Sequence, residues 1–184
     1  MTQIASRSQL RMSYLRYALI TVPLVLMLGT LSGVAAGSGS ANPWFAALVK
    51  PRMMPPGWAF PVAWTILYIL LGLALALVLH ARGARGRPPA LALFAAQLAL
   101  NYAWSPIFFA WHKVGLALVV IAAMFVLAAA SAVLFYRIRK AAGLMMLPYL
   151  AWLVFAALLN QQIRSLNPDA ERLAPGAAAT DIPL

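Results

Sequence analysis

Five long apolar runs leave this chain few ways to fold. They cover about residues 17–36, 58–80, 89–110, 114–136 and 143–163, and none holds an Asp, Glu, Lys or Arg in its interior. A helix needs roughly 20 apolar residues to cross a bilayer, whereas a barrel strand needs about 9–11. Backbone N–H and C=O groups in lipid have no water to bond, so each run must satisfy its own, which a helix does. The expected fold is therefore an all-α membrane bundle of five spans. It comprises a basic N-terminal tail (1–16), a membrane domain (17–164) and a flexible C-terminal tail (165–184). The first run has a rival reading as a secretory signal peptide, because Arg7, Arg11 and Arg16 precede it and "AAGSGSA" follows it. Its length exceeds a typical signal core, which favours a retained helix.

Charge placement narrows the chemistry. The acidic residues are Asp169, Glu171 and Asp181, all in the C-terminal tail, and there is no cysteine. Paired carboxylates, carboxylate metal sites and thiolate nucleophiles are thereby removed from the spans. Ion-coupled transport usually uses ionisable groups at membrane depth, and the runs carry none. The net charge of +11 is not a nucleic-acid signature, because the basic residues sit at the ends of apolar runs. Nine (Arg7, Arg11, Arg16, Arg82, Arg85, Arg87, Arg137, Arg139, Lys140) fall on one side of a five-span topology. Five (Lys50, Arg52, Lys113, Arg164, Arg172) fall on the other. The richer side is expected to be cytoplasmic, which puts the N-terminus inside and the C-terminus outside.

The first loop, about 37–57, is much longer than the others. It begins flexibly ("GSGSAN") and then becomes apolar and stiff ("PWFAALVKPRMMPP"). Proline lowers the entropy cost of holding one shape. The stretch reads as a lid: a short helix about 43–49, then an extended segment across the bundle. Trp44, Lys50, Pro51, Arg52, Met53, Pro55 and Pro56 are its expected working residues. The plainer alternative is an interfacial anchor with Trp44 and Trp58 in the aromatic belt.

Within the third run, Gln97, Asn101 and Ser105 recur every four residues and form one polar stripe. Trp104 lies beside Asn101, and Phe108 lies a turn further on. Polar groups at this depth face a cavity or glue helices together. Trp64 and Tyr68 share a face of the second run. Tyr149, Trp152, Ala156 and Asn160 share one on the fifth. Two aromatic stripes and an amide could frame a flat, weakly polar cavity suited to a planar macrocycle, although such stripes are more often packing. His80 and His112 stand at span ends and are expected to be interfacial rather than haem ligands; no metal site is expected. Ala92 and Ala96, with Ala95, Ala99 and Ala103, give the third run small-residue faces. These suit close helix approach, within the chain or in a homodimer.

"WFAALVKPRMMPPGWAFPVAWTILY", "AAQLALNYAWSPIFF" and "PYLAWLVFAALLN", in this order and spacing around an apolar fourth run, resemble the TspO/MBR family of translocator and tryptophan-rich sensory proteins. The resemblance covers about residues 20–165. It implies a first-loop lid over a pocket, commonly a dimer, and porphyrin, haem or other tetrapyrroles as ligands, with no cofactor required. It places Trp64, Tyr68, Asn101, Trp104, Trp152 and Phe155 around the pocket. Transport, sensing and light-dependent porphyrin breakdown are the activities it implies, and breakdown is the one enzymatic reading. Two departures stand out. Met53 replaces a tryptophan usual in the family, and Arg52 stands where other members carry another aromatic. A Trp at 53 is expected to add stacking surface for a planar ligand. "LLNQQIR" lacks the central tyrosine of the sterol-recognition pattern, which argues against sterols.

Overall fold

The computed structural model describes residues 7–173. Its spans are built from α1 (Arg7–Ala35), α3 (Ala59–His80), α4 (Arg87–Ser105), α5 (Val114–Ile138) and the pair α6 (Lys140–Met145) and α7 (Leu147–Leu166). A one-turn helix, α2 (Pro43–Ala47), lies in the first loop. All five expected spans are long and apolar enough to cross a membrane, and the protein is a multi-pass membrane protein. α1 packs mainly on α3 and more lightly on α4, α4 packs on α5, and α5 on α6 and α7.

Several boundaries differ from expectation, each for a local reason. The helix begins by Arg7, inside the expected basic tail, whose residues 1–6 lie outside the described residues. The fifth span is two helices, broken at Met146. Pro148 there has no N–H to continue the ladder. At the other end α7 runs to Leu166, and a turn of 3-10 helix follows at Ala170–Arg172 with Ala170 buried. The expected flexible tail is thus folded onto the bundle as far as this turn. Its part from 174 onward lies outside the described residues.

Prolines shape the third span as well. Pro106 cannot donate to the carbonyl of Tyr102, and the Ser32 hydroxyl of α1 donates there instead. Beyond Pro106 the helix widens into a π turn, Pro106–Ala110, closed by Trp111 N donating to Pro106 O at 2.9 Å. His112 then turns the chain with φ 56, a left-handed conformation in which His is better tolerated than most residues.

Interhelical ties position the spans. Thr21 Oγ1 donates to Gly72 O at 2.8 Å, and Tyr102 OH donates to Val25 O at 3.0 Å. Bonds of this kind average about 0.6 kcal/mol in membrane proteins. α1 and α3 approach so closely that a methyl group at Gly72 would come within 2.7 Å of Val22 Cα. At one end of the bundle Arg87 donates to the last carbonyls of α3, Val78 O (3.1 Å) and Leu79 O (2.9 Å). His80 meets the rings of Tyr14 and Tyr17 there. At the other end α2, the His112 corner and the segment after α7 come together.

Candidate functional site

The site grows from one amide. Asn101 of α4 is buried between α3 and α7. Tyr68 OH donates to its Oδ1 at 2.8 Å, and its Nδ2 donates to Tyr149 OH at 3.0 Å. Tyr149 OH in turn faces Met124 Sδ of α5 at 3.9 Å, a weak bond. Four helices therefore meet at one polar chain inside an apolar bundle. Gly29 of α1 leaves the room that the Tyr68 ring occupies; a side chain there would run into it.

Aromatic faces surround this chain. Trp64 stacks on Tyr68 with centroids 5.2 Å apart and planes 30° from parallel. Trp152 meets Trp64 edge-on at 6.1 Å and also contacts Phe60 and Phe155. Ala156 is half-buried on the same helix and packs against the core. Trp64, Tyr68, Asn101, Trp152 and Phe155 are thus brought together. In this arrangement the rings of Trp64, Tyr68 and Trp152 rest on one another. The recess of about 370 Å³ lies elsewhere, beside Val114, Arg164 and the segment after α7.

Trp104 and Phe108 form a second group. They stack at 5.0 Å and 15°, and Phe108 receives the edges of Trp44 and Phe45 from α2. The lid thereby rests on the π turn of the third span. The Trp104 indole N–H and both amide atoms of Gln97 are buried without a partner among the described residues. The polar stripe of α4 is therefore not uniform: both amide atoms of Asn101 are bonded, and neither of Gln97's is among the described residues.

The first loop folds onto the end of the bundle. Asn42 caps α2 by accepting from Phe45 N at 2.9 Å, and Pro43 supplies its preformed first turn. Trp44 points inward and is 1% exposed, stacked on His112 at 4.4 Å and 14°. Trp58 is 69% exposed, so the two tryptophans that the anchor alternative placed together divide. Pro51 is buried, Pro55 half-buried, and Arg52 and Pro56 are exposed. Met53 is 39% exposed, whereas Met54 packs on the core. Lys50 folds back on α2. Its ammonium donates to the carbonyls of Phe45 and Leu48, with a longer contact to Ala46 O, and lies 4.4 Å from the Phe45 ring centre. Burial lowers its pKa from the ordinary lysine value.

The residue pattern had marked Tyr149 as part of a stripe without its bond to Asn101. It offered no sign of Phe60, Met124 or Asn167, nor of the stacking of Trp44 on His112, because these contacts depend on how helices distant in sequence are arranged. The TspO/MBR family model matches residues 20–166. The chain is 37% identical to the tryptophan-rich protein TspO of Chlorobaculum tepidum over 82% of this chain and 98% of that one. It is 36% identical to protein CrtK of Rhodobacter capsulatus over 74% of this chain and 86% of that one. It is 38% identical to the human translocator protein over 72% of this chain and 80% of that one. With that match over most of its length, on five spans and a folded first loop, the chain belongs to the TspO/MBR family.

Proposed function

We propose that the protein binds a planar tetrapyrrole, of the porphyrin or haem class, between α3, α4 and α7 beneath the first loop. The supporting observation is the Trp64–Tyr68–Asn101–Tyr149–Trp152 group, where ring faces enclose a hydrogen-bonded amide. Such a surface binds flat, largely apolar ligands by stacking, with few polar contacts fixing orientation. Entry requires Trp64 and Trp152 to part, so the ligand replaces ring–ring contacts with ring–macrocycle contacts. Among the described residues Arg52 makes no ion pair and is exposed, whereas Lys50 is engaged with α2, so Arg52 is the lid cation offered to a propionate. Trp104 N–H is a buried donor without a partner among the described residues and can serve a ligand acceptor.

The test is titration of the purified protein with protoporphyrin IX, followed by tryptophan quenching in the dark and under illumination. Saturable quenching is expected in the dark. Trp152→Ala should weaken it by roughly 5–150-fold, the equivalent of about 1–3 kcal/mol of lost stacking and burial. Unsaturable quenching, or an unchanged affinity in Trp152→Ala, would sink the assignment. Bleaching of bound porphyrin only in the light would add breakdown to binding; its absence leaves a carrier or sensor. The N-terminus is assigned to the cytoplasm from the basic-residue excess. A homodimer is assigned to the α4 face carrying Ala92, Ala96 and Ala99, all exposed.

A further inference from the structure

The segment after α7 is tied to the lid at two places and to α5 at a third. Asn167 Oδ1 accepts from Val49 N at 2.8 Å, and Asn167 Nδ2 donates to Val49 O at 3.0 Å. One side chain thus pairs with both backbone groups of Val49, as a neighbouring strand would. The same Nδ2 bonds Ile163 O at 2.8 Å, which fixes the amide to the last turn of α7. Three residues on, Ala170 O accepts from Trp44 Nε1 at 2.8 Å. Glu171 Oε1 accepts from Gly115 N at 2.9 Å, and its carboxylate lies 3.7 Å from Lys113 Nζ. These contacts span the lid from Trp44 at the start of α2 to Val49 just beyond its end.

The lid needs such support. A five-residue helix cannot hold itself in water, because it pays for nucleation with too few bonds. α2 buries Trp44 and, just after it, Leu48. The buried Trp44 N–H must have an acceptor, and that acceptor is on the segment. The segment itself is not packed flush. With Val114 and Arg164 it borders the recess of about 370 Å³, and Asp169, Glu171 and Arg172 are exposed. Its attachment rests on a few hydrogen bonds and the single buried side chain of Ala170 at the end of the bundle. Such regions open locally at far less cost than global unfolding.

We propose that residues 167–172 are a latch that holds the α1–α3 loop shut over the aromatic groups, and that their release from Val49 and Trp44 precedes opening of the lid. The consequence for ligand traffic rests on the tetrapyrrole reading above; the latch itself does not. Asn167 is the positioning residue of the device, since it engages Val49 through both ends of its amide.

The experiment uses the full chain in lipid nanodiscs, with Asn167→Ala and the isosteric Glu171→Gln as variants. Hydrogen exchange over residues 44–54, without ligand, reports the lid directly. Asn167→Ala should speed exchange there by about tenfold or more while amides inside the spans stay as protected as before. Glu171→Gln should give a smaller increase of the same pattern, and it serves as the deciding variant if Asn167→Ala does not fold. Unchanged lid exchange in a folded variant overturns the latch. Stopped-flow mixing with protoporphyrin IX is the second arm. Association and dissociation should accelerate together, leaving Kd within about twofold, because the latch alters the opening equilibrium rather than the pocket contacts. Faster lid exchange with unaltered porphyrin rates would overturn the gating consequence, since ligand would then enter by another route. If the unaltered protein binds no porphyrin, the functional reading fails, and the exchange arm still decides the latch.

Discussion

Asn101 and Gln97 lie one turn apart on the same face of α4, yet their situations are opposite. Asn101 joins Tyr68 to Tyr149, while Gln97 is 0% exposed with both amide atoms unpartnered among the described residues. Removing one partner of a buried bond leaves the other unsatisfied, at about 1–3 kcal/mol. Asn101→Leu should therefore lower stability by about that amount, more than Tyr68→Phe does, as measured by thermal unfolding in detergent. Gln97→Leu should be neutral or stabilising, because it removes polar atoms that gain nothing. A comparable loss in both variants would contradict this distinction. The four-residue spacing made the two residues look equivalent. Only the position of Tyr68 and Tyr149, brought from helices far along the chain, separates them.

At the scale of elements, the lid is where local pattern was least decisive. A proline-rich extended stretch has no fixed period, so "KPRMMPP" did not say which methionine faces inward. Met54 packs on the core and Met53 is turned outward. This changes the expectation for Met53→Trp: a tryptophan outside the closed lid has no ring to stack on. Protoporphyrin affinity should stay within about twofold of the unaltered protein, well below the gain of an aromatic pair. Tightening by about tenfold would place residue 53 against the ligand after all. Lys50, one of the lid's expected working residues, is instead engaged with the C-terminal end of α2. A one-turn helix leaves its end carbonyls poorly satisfied: the Lys50 ammonium donates to Phe45 O, which also accepts from Leu48 N at 3.3 Å, and to Leu48 O at the cap position. The π turn was not foreseen, although Pro106 signals an interrupted ladder. What fills the freed carbonyl is Ser32 of another helix.

For the whole molecule, orientation and assembly are the testable consequences. Single cysteines at Arg85 and Arg139 should resist an impermeant thiol reagent in intact cells, and one at Arg52 should react; the reverse pattern would invert the topology. The pair Ala96→Phe and Ala99→Phe should convert a dimer to a monomer by light scattering in detergent. An unchanged mass would move the contact off this face. The alanines are exposed, so larger side chains there should not disturb the core of a single chain. The number and helical type of the spans were legible in the chain itself. A bilayer permits an uncharged run of this length to do little except form a helix. Runs of apolar residues say how many helices cross, and proline and basic residues say roughly where they end. Which faces meet is another matter. In lipid the outside of a helix is as apolar as its inside: Val119 and Val126 of α5 are exposed while Val120 and Ile121 are buried. Hydrophobic periodicity, the main guide in water, is therefore weak here. The meeting of the aromatic group, the inward turn of Trp44 and the grip of Asn167 on Val49 come from close packing and hydrogen bonds between distant segments, which only the folded bundle brings within reach.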